Sequence, residues 1–370
     1  MSFFSFTKRN KESYSLVFNI GSGCVSGGLI KFTEESGVDI VHYEKEIITY
    51  QEKISAPKHL EYMKNALTIL ASKVKVAGVT VDRAFYMFSS PWSASQTKII
   101  KINELKPFKI TPEYIKRIID QQEKEYQTEI SQAGKIIEKK IIQIKINGYV
   151  VSDYLNKITK DLEISVFFTV VPEDILQVVD QAVSKTFQVK NIWCHSLALS
   201  LLTNIRNLFP QKPDFICLDV SEEITDISIV KDNVMVSSAS LPLGRNDFIR
   251  DLSFILKVTK PVADSMINMN CTGSHDELAA LKLSVAMDNA ARNWLIKIFE
   301  ILDSFKNKIY VPEDIFLITN SDLSCFLKSK LEKHDFRVTL VENKKLKINF
   351  KTEDIIYKLE LMFLDNLYKI

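Results

Sequence analysis

Two segments decide the fold of this chain, LVFNIGSGCVSGGLI at Leu16–Ile30 and FICLDVSEEITDISIV at Phe215–Val230. Each begins with an apolar strand that ends in a polar or acidic residue. A short turn of small or polar residues follows, and then a second apolar strand. The sequence therefore predicts two hairpins in the two halves of the chain, which together could clamp a phosphate chain.

The composition is that of an ordinary globular protein with room for more than one domain. The 370 residues are 46% hydrophobic and 25% charged, and 48 basic against 46 acidic residues give a net charge of +2. This balance gives no electrostatic reason to expect nucleic-acid binding. No apolar run approaches the ~20 residues that span a bilayer, so no transmembrane segment is expected.

The termini and cysteines indicate a cytoplasmic protein. At the start of the chain the apolar residues precede the basic ones, which is the wrong order for an export signal. This Phe-rich start is interpreted as a frayed terminus, with an interfacial contact to a membrane as the alternative. The cysteines are dispersed without the spacing of a metal site: Cys24, Cys194, Cys217, Cys271 and Cys325.

The first 90 positions predict a βββαβ order. The expected strands are 14–20, 25–32, 38–49 and 84–88, and the expected helix is 57–75. A separate unit of strands and two helices then follows, which we interpret as an insertion. Its helix from Pro112 is predicted to have Thr111 as N-cap, and Asn147-Gly148 is predicted to be a hairpin turn.

The remainder returns to the first lobe and then builds the second. Pro210 to Pro213 marks the boundary between them, and two helices are expected at 275–287 and 288–306. The chain closes on an amphipathic helix at 353–368, whose apolar face is too broad for a plain surface helix. Packing into the fold is the expected fate of this helix, and membrane binding is the alternative.

These features resemble the FtsA/PilM branch of actin-like proteins. The first family motif is matched by Asn19-Ile20-Gly21-Ser22-Gly23-Cys24-Val25 and the second by Asp219-Val220-Ser221-Glu222-Glu223-Ile224-Thr225-Asp226. A Leu-Pro-x-Gly-Gly stretch of the family corresponds to Leu241-Pro242-Leu243-Gly244-Arg245. The order of the elements agrees with the family across nearly the whole chain.

The resemblance implies an α/β, two-lobed actin-like (ribonuclease H-like) ATPase fold with an inserted SHS2-type α+β subdomain. The expected divisions are lobe I at 1–83, the insertion at 84–187, lobe I again at 188–212 and lobe II at 213–370. The last helix either stays with lobe II or returns to lobe I.

The resemblance also implies a site for ATP and Mg²⁺. The expected nucleotide contacts are Asn19, Gly21, Ser22, Gly23, Cys24, Asp219, Ser221, Thr225, Asp226, Gly244, Thr319 and Asn320. Asp219 is the expected Mg²⁺ ligand. His195 stands where the family has an acidic residue, and it is a weak candidate for a catalytic base against the alternative of a packed or capping histidine.

Several departures from the family pattern argue against efficient turnover. Asn19 replaces the usual aspartate and carries no charge for a hydrated Mg²⁺. The second turn has lost its glycines, and Glu222 and Glu223 stand where phosphates would approach. A carboxylate ~4 Å from a phosphate oxygen is repelled by ~1–4 kcal/mol at surface-like dielectric. The stretch from Thr319 to Asp322, expected beside the adenine, contains no glycine.

The resulting hypothesis is an FtsA-like cytoplasmic scaffold with a degenerate ATP site, peripheral at the inner membrane. The alternatives are a PilM-like component of type IV pilus assembly and an active ATPase that drives polymer dynamics. The expected partner is an FtsZ-like polymer or a pilus assembly protein, and self-assembly is also open. A sugar-kinase-like enzyme is disfavoured because no aspartate for substrate phosphorylation can be identified.

Overall fold

The computed structural model describes residues 14–33, 37–130, 134–270, 277–319, 321–343, 346 and 352–368. The described residues cluster into two compact units. The first unit comprises those of Met1–Trp92, Asp174–Asn204 and Asn343–Ile370, and the second those of Ser93–Glu173 and Ile205–Glu342. The finer division expected from the sequence, with its insertion at 84–187, remains a prediction.

Strands and helices alternate along the chain. The strands are β1 (Tyr14–Ile20), β2 (Cys24–Thr33), β3 (Gly37–Ile47), β4 (Val81–Phe88), β5 (Ala94–Lys109), β6 (Gly134–Ile146), β7 (Tyr149–Val150), β8 (Ile158–Pro172), β9 (Asn191–Ser196), β10 (Phe215–Val220), β11 (Thr225–Lys231), β12 (Val234–Leu241), β13 (Asp314–Thr319) and β14 (Arg337–Leu340). The helices are α1 (Ala56–Val74), α2 (Pro112–Glu129), α3 (Glu173–Ser184), α4 (Leu197–Leu208), α5 (Arg245–Leu256), α6 (Lys260–Asn270), α7 (Glu277–Lys306), α8 (Ser321–Glu332) and α9 (Ile355–Tyr368). None of the described helices is both long and apolar enough to cross a membrane.

The sheet of the first unit carries the first predicted hairpin. Its described strands lie in the order β3-β2-β1-β4-β9. β1 pairs antiparallel with β2 and parallel with β4, and β4 pairs parallel with β9. Nearly every residue of β1 is buried, which is typical of a strand covered on both faces of its sheet. The predicted βββαβ order is confirmed.

The C-terminal helix α9 packs into the first unit. Its residues Tyr357, Leu359, Leu361, Phe363 and Leu364 are fully buried. Asp354 caps its first turn by accepting a hydrogen bond from the Tyr357 backbone N–H at 3.0 Å, and it also accepts from Tyr43 Oη of β3 at 2.9 Å and from Lys45 Nζ at 3.0 Å. The prediction that this helix packs into the fold is therefore confirmed.

The main sheet of the second unit carries the second predicted hairpin. Its described strands lie in the order β12-β11-β10-β13-β14, with β10 antiparallel to β11 and parallel to β13. A continuous apolar core joins this sheet to α5, α7 and α8, and Trp294 of α7 is its largest fully buried side chain. The alternation of apolar residues in Phe215–Val230 thus predicted the hairpin correctly.

The helices expected at 275–287 and 288–306 are instead one 30-residue helix, α7. The predicted break at Asp288 is wrong, because Asp288 and Asn289 lie on the exposed face while Ala290 and Ala291 continue the buried face without interruption. The preceding helix, α6, was not predicted. Residues 275 and 276 lie outside the described part of the chain.

A further sheet of the second unit lies within the segment predicted as an insertion. Its strands are all antiparallel in the order β5-β8-β6-β7, and α2 packs on one face through Ile115, Ile119 and Tyr126. The predicted N-cap is confirmed, since Thr111 Oγ1 accepts from the Tyr114 N–H at 3.2 Å. The turn at Asn147-Gly148 is also confirmed, with φ of 50° and 83° as a type I′ hairpin requires.

Candidate functional site

The turn between β1 and β2 holds the first set of predicted site residues. Its closing hydrogen bond runs from the Gly21 N–H to the Cys24 carbonyl at 3.1 Å. A Cβ at position 21 would lie 2.8 Å from that carbonyl oxygen, so the turn requires glycine there. Ser22 is fully buried, and the Gly23 carbonyl accepts from the Ile48 N–H at 2.9 Å. The structure thus brings Gly21, Ser22, Gly23 and Cys24 together in one tight turn.

Asn19, at the end of β1, is engaged by the C-terminal helix. Its side-chain amide donates to Oε1 of Glu360 on α9, and both residues are buried. Because a carboxylate only accepts hydrogen bonds, the amide nitrogen must be the group that faces it. The contact with Glu360 therefore explains why position 19 carries an uncharged amide, without reference to any nucleotide.

Trp92 ties the first turn to the end of β4. Its indole Nε1–H donates to the Gly21 carbonyl at 2.7 Å, and its ring stacks on His59 with centroids 5.3 Å apart. This contact was not predicted from the sequence. The parallel pairing of β1 with β4 brings it about, since Phe88 lies opposite Ile20 and the chain turns back after Phe88.

His195 lies in an aromatic cluster. Its ring is 5.4 Å from that of Phe363, 6.4 Å from Phe85 and 6.5 Å from Tyr368, measured between centroids. Tyr368 Oη lies 3.5 Å from its Nε2. These surroundings support the packing role that the sequence offered as the alternative to a catalytic base.

The turn between β10 and β11 holds the second set of predicted site residues. Asp219 and Asp226 are paired across the two strands, and Ser221 closes the turn through its N–H and its hydroxyl, both donating to the Ile224 carbonyl at 2.9 Å. Asp226 accepts from Ser240 Oγ of β12 at 2.5 Å. The turn is therefore closed by its own side chains as well as by its backbone.

The N-terminus of α5 is packed directly onto this turn. The Arg245 N–H donates to the Ser221 carbonyl at 2.9 Å and the Asn246 N–H to the Glu222 carbonyl at 2.7 Å. A Cβ on Gly244 would lie 2.5 Å from the Ser221 carbonyl oxygen, so only glycine allows this approach. The N–H groups that a helix N-terminus can offer to an anion are consequently used by the protein itself.

Glu223 points into this junction and carries its own counter-ions. Its side chain is 5% exposed. Its carboxylate accepts from Asn246 Nδ2 at 2.6 Å and lies 2.8 Å from the Arg250 guanidinium. Burial raises the pKa of Glu223, and the hydrogen bond from Asn246 and the charge and hydrogen bond of Arg250 oppose that rise. A buried anion thus sits beside the helix N-terminus.

Thr225 is held by two partners within the second unit. Its hydroxyl donates to the Leu243 carbonyl at 2.6 Å and accepts from Trp294 Nε1 at 3.0 Å. The Thr225 side chain is itself fully buried, and so is its hydrogen bond with Trp294. Trp294 could not be recognised from the sequence, because it belongs to a long amphipathic helix in which an aromatic residue is an ordinary core residue.

The remaining predicted residues lie at the end of β13. Thr319 is paired with Val220 in the parallel β10–β13 ladder, next to the second turn. Asn320 lies outside the described residues. Arg245 donates through Nε to Asp322 at 2.8 Å and through a terminal nitrogen to Asp264 at 2.6 Å. The stretch expected beside an adenine is therefore joined to α5 and α6 by an ion-pair network.

Asp219 is the expected Mg²⁺ ligand, and its surroundings favour the protonated form. It is 4% exposed, and burial raises its pKa well above the usual value, with Asp226 and Glu222 adding to the rise. Among the described residues there is no group of three or more His, Cys, Asp or Glu side chains placed to hold a metal ion. The described acidic residues around Asp219 therefore do not form a cluster of the kind that holds a metal ion.

Asp219→Asn is expected to raise the stability of the free protein at pH 8. The folded pKa of Asp219 lies above its unfolded pKa, so the folded state binds the proton more tightly and wild-type stability falls as pH rises through this interval. The variant lacks this titration. The free energy of unfolding of Asp219→Asn should exceed that of the wild type by on the order of 1–2 kcal/mol at pH 8, and this difference should vanish near pH 4.

Thermal unfolding of both proteins across this pH range, with and without Mg²⁺, measures the effect. An Asp219→Asn protein that is less stable than wild type at pH 8 without Mg²⁺ would contradict the assignment. It would mean that ionised Asp219 is stabilised in the fold.

Comparisons with known proteins define the class of this fold. By sequence, the chain matches no family model and no curated protein. By structure, its neighbours include proteins with the actin-like ATPase fold, so the predicted actin-like α/β fold is confirmed, whereas the SHS2 type of the inserted subdomain remains a prediction.

One of these neighbours is the PilM–PilN type IV pilus biogenesis complex, with a TM-score of 0.66 and 11% identity over 96% of this chain and 98% of that chain. MreB 5 of Spiroplasma citri bound to AMPPNP gives a TM-score of 0.48 at 10% identity over 96% of this chain and 97% of that chain. The MamK double helical filament gives a TM-score of 0.48 at 11% identity over 95% of this chain and 99% of that chain. At these identities the likeness shows the fold alone.

Proposed function

We propose that this protein is an actin-like scaffold of the FtsA/PilM kind, which recruits a protein partner at the inner membrane without depending on ATP hydrolysis. The observation that supports the proposal is the second turn, where the Arg245 and Asn246 N–H groups at the N-terminus of α5 are already bound to turn carbonyls. Glu223, its counter-ion Arg250 and the N-terminus of α5 form this closed arrangement.

Phosphate binding at a turn requires free backbone N–H groups and close approach. Here Ser221, Glu222 and Glu223 replace glycines of the family, and the N–H groups of Arg245 and Asn246 are bound to turn carbonyls. A phosphate would have to displace these carbonyls and lie beside the Glu223 carboxylate. The residues present therefore do not fit a phosphate at this turn.

The first turn keeps its glycines, so any nucleotide contact would have to rely on it. Its neighbour Asn19 is held by Glu360 and brings no charge to a metal ion. Under this proposal a nucleotide would at most shift a conformational equilibrium. An ATPase that drives polymer dynamics is the competing function.

The two scaffold roles differ in their partner. The motifs at 19–25 and 219–226 are common to FtsA and PilM, and the structural likeness to the PilM–PilN complex supports the pilus-assembly alternative. Immobilised full-length protein can be offered an FtsZ-type protein and a PilN-type protein from the same cell. Retention of one and not the other assigns the role.

Titration calorimetry with ATP and Mg²⁺ tests the nucleotide argument. The native chain is expected to show no binding at concentrations that saturate ordinary actin-like ATPases, and no phosphate release. Micromolar binding with turnover that Asp219→Asn abolishes would overturn the proposal in favour of the ATPase. Thermal unfolding of each protein confirms that a silent titration reflects a folded sample.

A further inference from the structure

One end of the sheet formed by β5, β8, β6 and β7 brings three exposed segments together. Asn103 Nδ2 of β5 donates to Asp161 Oδ1 of β8 at 2.6 Å. On the other side of β8, the Asn147 N–H donates to the Asp161 carbonyl at 3.1 Å and Thr159 Oγ1 donates to Asn147 Oδ1 at 3.1 Å. The irregular end of β5, the start of β8 and the β6–β7 hairpin therefore lie side by side.

These segments carry large apolar side chains that project into solvent. Leu105 is 95% exposed, Tyr149 77%, Ile158 68% and Val150 60%. We call them, together with Lys106, Lys109, Lys157 and Lys160, the tip surface. Apolar side chains of this size normally lose such exposure on folding, so their concentration at one end of a sheet indicates a binding surface.

The lysines of the tip surface are exposed, and among the described residues none of them forms an ion pair with a carboxylate. The nearby Lys101 and Lys145 differ, because both lie within 4 Å of Glu163, at 3.7 and 3.5 Å. The acidic residues of the same segments are Glu104, Asp153 and Asp161, and Asp161 accepts a hydrogen bond from Asn103. Lys106 follows Leu105 and Lys157 precedes Ile158 in the sequence, so two of these lysines adjoin exposed apolar residues.

We propose that the tip surface docks on an anionic lipid bilayer. The side chains project singly from a strand irregularity, a strand start and a hairpin, and such projections suit insertion into a headgroup layer. Lysine stems can lie along the apolar layer while their ammonium groups reach lipid phosphates. The terminal helix α9 offers no alternative apolar face, because its face is buried in the first unit.

This inference rests on the proposed function only for its membrane setting, and the two can fail separately. Partner capture tests the scaffold role in the absence of lipid. Vesicle binding tests the tip surface in the absence of a protein partner.

Sedimentation of the full chain with vesicles tests the proposal. The native protein is expected to bind phosphatidylcholine vesicles that contain phosphatidylglycerol, to bind pure phosphatidylcholine far less, and to bind less as salt rises. Leu105→Ser/Ile158→Ser and Lys106→Glu/Lys157→Glu should each weaken binding about tenfold or more. Thermal unfolding should be unchanged, because all four positions are exposed.

Matched controls place the same changes elsewhere. Phe254→Ser/Leu281→Ser alters side chains that are 85% and 62% exposed, and Lys282→Glu/Lys308→Glu alters two exposed lysines. Both double variants should bind as the native protein does. A chain without residues 1–13 should also keep its binding. No binding to anionic vesicles, or unchanged binding by both tip variants, would overturn the proposal. Capture of an acidic protein without vesicle binding would reassign the surface to a protein partner.

Discussion

Asn19→Asp is expected to destabilise the first unit by about 3–5 kcal/mol instead of restoring a metal ligand. In the native protein, the Asn19 amide donates to the carboxylate of Glu360, and the two residues are 4% and 0% exposed. The substitution removes the donor and sets a second carboxylate against the first. Because both positions are buried away from solvent, the two carboxylates repel each other or one of them must take up a proton.

Exchanging the amide at position 19 and the carboxylate at position 360 tests this explanation. In Asn19→Asp/Glu360→Gln the carboxylate lies on β1 and the amide on α9, so the hydrogen bond can form in the reverse direction. The double variant should recover most of the lost stability, while Glu360→Gln alone should cost little because two amides can still pair. This double-mutant cycle isolates the contact from general effects of each substitution.

Chemical unfolding of the four proteins at pH 7.5, repeated with Mg²⁺, gives the free energies. Hydrogen exchange should show the Asn19→Asp loss in β1, β2 and α9. If Asn19→Asp were as stable as wild type without Mg²⁺, or if Glu360→Gln failed to rescue it, the contact with α9 would not be the reason for asparagine at this position.

The sequence predicted the two hairpins because their information is local. The apolar alternation of Leu16–Ile30 and Phe215–Val230 and the short polar turns between the strands need no knowledge of distant residues. The same holds for the Thr111 cap and the Asn147-Gly148 turn. Such features are confirmed almost residue by residue.

The charged side chains that contact the candidate site residues come from distant parts of the chain, and no local sequence pattern predicts these contacts. Glu360 lies 341 positions from Asn19, and Arg250 lies 27 positions from Glu223. On an isolated helix both would be taken for ordinary exposed charges. Only the packing of α9 and α5 onto their strands reveals that each charge is directed at a turn.

The orientation of the motif residues likewise depends on packing with distant parts of the chain. The sequence could show that Glu222 and Glu223 replace glycines, but it could not show whether their side chains point into the fold or out to solvent. In the structure Glu223 is turned inward and Gly244 allows the helix to approach the turn. Gly244 thus allows α5 to pack on the turn, and its contact with a nucleotide remains a prediction.

Arg250→Met is expected to destabilise the second unit by about 3 kcal/mol at pH 7.5. Methionine keeps much of the apolar stem of the arginine but leaves the buried Glu223 carboxylate without its counter-ion. Glu223→Gln in the same chain removes that charge, and the double variant should recover most of the loss. Glu223→Gln alone should be mild, because Arg250 keeps its contact with Asp247 at 3.1 Å.

The loss in Arg250→Met should shrink as the pH falls from 8 to 5. Burial already raises the pKa of Glu223, and removing Arg250 takes away an interaction that lowers it. The folded-state pKa then lies further above the unfolded value, so protonation at lower pH favours the folded state and relieves the unpaired charge. Chemical unfolding at several pH values measures this slope.

A flat pH dependence, or a double variant no more stable than Arg250→Met, would show that Glu223 is not an internal anion. The turn would then be open to an external one. The expected rescue would instead mean that this actin-like fold has replaced an exchangeable phosphate by a carboxylate of its own. Such a protein keeps the geometry of the second turn at all nucleotide concentrations, as a permanent scaffold requires.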